Sequence, residues 1–340
     1  MNQTPGSNTE PRASATGQTR TTELPAQRRL ASRYLTILIA SLCLLAAVLE
    51  VSVRFALPRV SRVEARIAAE YKASLLLRTG GEHKSVLVAG TSLLLTDVDF
   101  PKLQTALAPE IQVSRYTVEQ TRYLDWYYGL RLWYAKGASV DVVLVCLNSR
   151  QTISDLVRGD YFAYTMMRTA DFWSASRDAK LSPTDTFSLL LGSVSAFYGT
   201  RTETRKVLLG RLVPGVNQVA RMVAPPQNRI LLESGPATEV ITRRLSQMRA
   251  LVSGHRGRLI FLAPATRDTA DLSIFKTAGA RAGVTVIVPL EAASVLPSDF
   301  KEDGFHLNEA GEAKYTDALI PQLPQAIAAP DPGVIKPGRL

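Results

Sequence analysis

Three residues from two distant parts of the chain have the types needed for acyl-transfer chemistry. Ser92 stands in "SVLVAGTSLLLTDVD" (85–99), where an apolar run ends in Gly90-Thr91-Ser92. Asp303 and His306 stand in "SDFKEDGFHLNEAGEAKY" (298–315), close to the far end. A serine becomes a nucleophile when a neighbouring base takes its proton. An imidazole is such a base, and a carboxylate beside it orients the ring and stabilises the imidazolium that forms. A lone serine after an apolar strand is more often a helix cap, its hydroxyl oxygen satisfying a free N–H of the first turn. The chemistry of Ser92 therefore depends on where the histidine falls.

The elements decide that. Continuous apolar runs lie at 85–90, 111–116, 140–148, 258–264 and 284–290, as expected of strands covered on both faces of a parallel sheet. Helical patterns at 119–136, 236–253 and 268–282 separate the later runs, and a closing helix is expected over 308–327. This alternation predicts an α/β fold: a three-layer α/β/α sandwich around a mostly parallel five-stranded sheet. In such sheets the binding crevice lies at the carboxyl ends of the strands. Of the three histidines, His83 and His255 precede strands, fall at the opposite edge and read as solvated turn residues. His306 follows the last strand, so topology puts it on the same edge as Ser92. Metal binding is not expected: two histidines lie at the wrong edge, and the chain has no His-x-x-x-His or Cys-x-x-Cys pair. Gly90 stands alone, without a phosphate-binding glycine pattern, and no cofactor is expected.

One insertion, about 152–235, breaks the alternation. In "LSPTDTFSLLLGSVSAFYGTR" Ser182 suits an N-cap, Pro183 the first helical position and Asp185 the first turn. Phe187, Leu190, Leu191 and Val194 follow at helical spacing. The insertion is expected to be a helical subdomain packed over one end of the sheet, with "DYFAYTMMRTADFW" (160–173) contributing core.

The N-terminal part differs in kind. Residues 1–28 carry too little apolar surface to fold and are read as a disordered tail. From Tyr34 to Val53 the only charge is Glu50, and about 20 helical residues span a bilayer core. The long preceding tail and the lack of a small-x-small site favour an uncleaved anchor over 34–53 rather than a signal peptide. Arg28, Arg29 and Arg33 ahead of the run place the N-terminus in the cytoplasm and the body outside. The α/β domain is expected over 58–325 and a flexible tail over 326–340. Cys43 and Cys146, the two cysteines, fall in the anchor and a buried strand and are not expected to pair. The formal charge of +10 comes from scattered basic residues with no aromatic-basic motif, so nucleic acid is not an expected partner.

With both blocks in place, the sequence resembles the SGNH (GDSL-type) hydrolase superfamily over about 80–150 and 236–325. Gly90-Thr91-Ser92 is similar to the family's Gly-Asp-Ser block, with threonine in the aspartate position. Asp303-Gly304-Phe305-His306 is similar to its late Asp-x-x-His block. The resemblance implies Ser92, Asp303 and His306 as catalytic residues, with the Ser92 N–H and Asn148 as oxyanion donors. The family's glycine after the second strand has no counterpart in "VSRYTVEQ", and Cys146 stands where a glycine usually precedes the asparagine. The anchor, body and insertion together look like SGNH-like proteins of bacterial envelope polysaccharide O-acetylation. That likeness implies a single-pass protein of the bacterial inner membrane with a periplasmic or otherwise extracytoplasmic body. It would be a serine esterase or O-acyltransferase acting on an acylated polysaccharide or other acyl ester, with envelope polysaccharide-assembly proteins as partners. Two other readings stay open: a catalytically inactive, anchored glycan-binding or assembly protein, and an unrelated α/β function in which Ser92 is only a cap.

Overall fold

The computed structural model describes residues 25–213 and 233–332. Most of the expected N-terminal tail, part of the insertion and the last eight residues lie outside them. The chain divides into two compact units, Met1–Leu49 and Glu50–Leu340.

The described part of the first unit is helical. Helix α1 (Pro25–Val60) begins inside the segment read as tail and ends beyond the expected anchor, so residues 25–28 are helix rather than coil. Its stretch Arg29–Val60 has a mean hydropathy of 2.4 in its most apolar window, and none of that window is buried. Its length and composition suit a membrane anchor and a signal sequence alike.

The second unit is built on five strands: β1 (Lys84–Gly90), β2 (Ile111–Thr117), β3 (Val142–Cys146), β4 (Arg258–Leu262) and β5 (Thr285–Ile287), in the order β2-β1-β3-β4-β5. All four strand pairs are parallel. Neighbouring side chains on a strand point to opposite faces, and both faces are covered. Val86, Val88, Leu144, Ile260 and Leu262 pack with α3 (Ser92–Asp97), α4 (Phe100–Leu107) and the closing helix Glu309–Ala328. Leu87, Ala89, Val143, Val145 and Phe261 pack with α2 (Arg62–Ser74), α5 (Tyr123–Ala135) and the helices Ser234–Gly254 and Thr269–Ala282. This is the three-layer α/β/α sandwich around a parallel five-stranded sheet that was read from the sequence. The last helix runs through Ala328, so the first residues of the expected C-terminal tail are helical.

The insertion forms α6 (Ser149–Ile153), α7 (Gly159–Thr165), α8 (Phe172–Asp178), α9 (Pro183–Val194), α10 (Ala196–Gly199) and α11 (Arg201–Leu212). The helices Ser234–Gly254, Thr269–Ala282 and Glu309–Ala328 are α12, α13 and α14 in chain order. Tyr161, Phe162, Met166 and Phe172 are buried in the same core as α5, whereas Trp173 is exposed. The approach is close: a Cβ added at Gly129 of α5 would lie 2.9 Å from Met166 Cε. Ser182 caps α9 by accepting from the Asp185 N–H at 3.2 Å, as its sequence predicts. The apolar stripe of α9 departs from expectation. The helix buries Leu189 and Gly192 instead, because Gly192 allows contact with the backbone of α7, where a Cβ would meet Asp160 O at 3.0 Å. Phe187, Leu190 and Val194 are left facing outward.

Candidate active site

β1 delivers the turn that carries Ser92 to the carboxyl edge of the sheet. Gly90 pairs with Cys146, and a Cβ at Gly90 would meet the Cys146 carbonyl oxygen at 2.7 Å. Only glycine lets the two strands stay this close where β1 ends. Thr91, fully buried, is the N-cap of α3; its Oγ1 accepts from the Leu93 N–H at 3.4 Å. Ser92 is therefore not the cap. It is the first helical residue, where backbone N–H groups lack intrahelical acceptors, and its hydroxyl makes a different bond.

That bond is to His306. Ser92 Oγ lies 3.0 Å from His306 Nε2, and His306 Nδ1 lies 2.8 Å from Asp303 Oδ2. The other oxygen, Asp303 Oδ1, accepts the Phe305 and His306 N–H groups, each at 2.9 Å, and Gly304, between Asp303 and Phe305, takes φ 62°. Burial would raise the Asp303 carboxyl, but the bonds from the His306 amide and ring and the Phe305 amide outweigh it and hold it below the usual range. The Asp-x-x-His block is thus a short turn that aims the ring. Its exit is fixed by Asn308, which caps α14 by accepting from the Gly311 N–H at 3.1 Å and donates to Ser298 O at 2.6 Å.

Asn148 follows β3 at the same edge and is the N-cap of α6. Its Oδ1 accepts from the Gln151 N–H at 2.8 Å, and Gln151 Oε1 accepts from the Asn148 N–H at 3.0 Å, which closes a capping box. With Oδ1 engaged, Nδ2 is the group the side chain has left to donate. Asn148 and Leu93 line a cavity of about 610 Å³, along with Arg150, Arg267, Asp303 and Phe305. The remaining histidines are elsewhere. His255 follows α12 ahead of β4 and stacks on Tyr134 at 3.9 Å, and His83 precedes β1.

Three residues at this edge were not singled out from sequence. Gln151 extends the capping box to the Thr91-Ser92 turn, its Nε2 lying 3.4 Å from Thr91 Oγ1; the spacing in "NSRQ" carried that signal. Gln120, in the loop after β2, has φ 60°, a left-handed backbone that glycine favours and other residues adopt at about 1 kcal/mol or more. This loop starts beside the Ser92 turn, because the Val118 N–H donates to Gly90 O at 3.0 Å. A turn that glycine would suit thus exists without one. The third is Asp97 at the end of α3, whose Oδ1 accepts the Leu307 N–H at 3.1 Å and the Thr96 hydroxyl at 2.9 Å. Burial pushes its carboxyl up to about 7. It ties the helix that carries Ser92 to the residue after His306, and no local sequence pattern announces a contact 210 residues long.

No family model and no curated protein matches the chain. Among solved structures the chain is similar to that of TesA, at 11% identity and a TM-score of 0.37, over 72% of this chain and 99% of that one.

Proposed function

We propose that the protein is a membrane-anchored serine esterase or O-acyltransferase that acts on acyl groups of an envelope or secreted polysaccharide. The observation that carries the reading is the continuous hydrogen-bonded line Ser92 Oγ–His306 Nε2–His306 Nδ1–Asp303 Oδ2, with steps of 3.0 and 2.8 Å. Ser92 Oγ attacks the acyl carbonyl while His306 Nε2 takes its proton. The oxyanion is held by the Ser92 N–H and Asn148 Nδ2, and the proton on Nε2 passes to the departing alkoxide. Water or a sugar hydroxyl then attacks the Ser92 ester, loses its proton to Nε2, and Ser92 recovers that proton as the acyl group leaves. Asp303 keeps the ring in the tautomer that has Nε2 free to accept.

The anchor reading has its own support. Glu50, inside the apolar helix, accepts from Ser195 Oγ at 2.8 Å and from the Ala196 and Phe197 N–H groups at 2.7 and 3.1 Å. Val53 and Leu57 are buried with Ala196. Cleavage after the apolar run would strip the body of these contacts, which supports a retained inner-membrane anchor; the basic residues ahead of the run support a cytoplasmic N-terminus and a periplasmic body.

The test uses the full chain in detergent with a fluorophosphonate probe and an aryl acetate. Labelling of Ser92 and loss of ester cleavage in Ser92→Ala are expected. If Ser92 stays unlabelled and the variant cleaves as well as the parent, the enzyme reading fails, and polysaccharide binding that survives the substitution then supports an assembly or binding protein. For the anchor, the full-length chain should resist alkaline carbonate extraction, and a periplasm-dependent reporter after residue 60 should be active.

A further inference from the structure

The stripe that α9 leaves outward is not scattered surface. Phe187, Leu190 and Val194 recur at helical spacing and are 61%, 39% and 58% exposed, and Phe197 of α10 is 40% exposed. Among the described residues, ten of the thirteen large apolar side chains exposed beyond α1 lie in the insertion, so the excess belongs to that region. Clustered apolar exposure of this kind marks an interaction surface.

Its location says what covers it. Ser195, which joins α9 to α10, and Ala196 and Phe197, which open α10, are hydrogen-bonded to Glu50. Glu50 is the first charge after the uncharged run that opens at Tyr34, and Arg54, Arg59 and Arg62 follow it. That order of residues is where a spanning helix leaves the hydrocarbon. The α9–α10 junction is therefore held at the level of the lipid headgroups. α11 continues the same character: by spacing, exposed Leu208 and Leu212 share a face with Arg205, the apolar-plus-basic pattern of interfacial helices on anionic lipid.

We infer that the α9–α10 stripe, Phe187, Leu190, Val194 and Phe197, lies in the interfacial layer of the bilayer that α1 spans. This rests on the anchor reading above. The partner is the lipid surface, because the stripe adjoins the point where the chain enters it. The inner side of the insertion, Phe162 and Met166, belongs to the main core. Seating the stripe in lipid thus fixes the orientation of the body over the membrane, and the site meets its substrate from a set direction.

The full chain, with Cys43→Ser and one added cysteine, is labelled with an environment-sensitive fluorophore and placed in phosphatidylcholine–phosphatidylglycerol vesicles containing spin-labelled lipid. Cys146 is buried and stays unlabelled. Phe187→Cys and Val194→Cys replace exposed side chains, and unchanged thermal melting verifies the fold of each. Both labels are expected to shift to the blue and lose at least half their emission to lipid-borne quencher, whereas a label at exposed Glu302 does neither. A quenched label at Leu42 with unquenched labels at 187 and 194 overturns the inference and leaves the anchor standing. An unquenched Leu42 label overturns the anchor, and the inference with it. A blue shift without lipid quenching that vanishes on dilution of the protein in lipid means a second copy covers the stripe, which also overturns the inference.

Discussion

The carboxyl edge of the sheet and the outer face of the insertion solve opposite problems. At the edge, polar side chains are held by one another: Asp303 accepts three bonds from Phe305 and His306, Asn148 and Gln151 cap each other, and Asp97 reaches across to Leu307. On α9, apolar side chains with helical spacing are left exposed among the described residues. The difference teaches that patterning states which groups share a face, while partners decide what the face is for. Preorganised dipoles are worth most where water is restricted, and unpartnered apolar area is worth most where lipid replaces water.

The largest expected effect breaks the edge at its base. His306→Gln removes the proton acceptor and should lower kcat/KM for an aryl acetate by about 100- to 10,000-fold, with fluorophosphonate labelling of Ser92 slowed in parallel. Next, Asn148→Asp keeps an oxygen for the Gln151 N–H but removes the donor at Nδ2. Turnover should fall about 100- to 1,000-fold while thermal stability stays near that of the parent. Asn148→Ala should lose the turnover and, in addition, about 1 kcal/mol of stability from the cap.

Within α9 two neighbours sharpen the contrast. Leu189 is buried and Leu190 is not, so denaturant unfolding should put Leu189→Ala about 2–5 kcal/mol below the parent and Leu190→Ala within about 0.5 kcal/mol. Equal costs would mean that the stripe is packed and the comparison false. A further test of the edge lies in pH dependence. The Asp97 carboxyl is raised to about 7 by burial, so between the unfolded value and 7 the folded state holds a proton that the unfolded state has lost. Stability from this group is full at low pH and falls as pH rises through that window. Asp97→Asn keeps an acceptor for Leu307 and should flatten the slope of stability against pH by up to about 1.4 kcal/mol per unit. Asp125, likewise raised to about 7 by burial, should leave part of the slope in place.

The strands were legible because a sheet covered on both faces needs uninterrupted apolar runs, and β1, β2 and β4 lie within a residue or two of the runs that announced them. The shared edge of Ser92 and His306 was legible for a similar reason: in a parallel α/β sheet, a residue just after a strand can only be at its carboxyl end. Helix spacing likewise announced α9, whose cap and proline start are local chemistry. The direction in which α9 faces was not legible. A stripe of Phe187, Leu190, Leu191 and Val194 looks the same whether it meets a core or a membrane, and here the close contact at Gly192 turned it outward.

The sequence by itself determined the periodicities, the order of the elements and the residue types at each strand end, because these depend on local backbone preference and on burial averaged over a face. Only the tertiary structure decided that Thr91 rather than Ser92 caps α3, that Gln120 takes a left-handed backbone without being glycine, and that Asp97 holds the residue after His306. Each of these is a contact or a conformation selected among several that the local sequence permits. The choice is made by packing between segments far apart in the chain, where fractions of an ångström in approach decide which group is bonded and which is left to act.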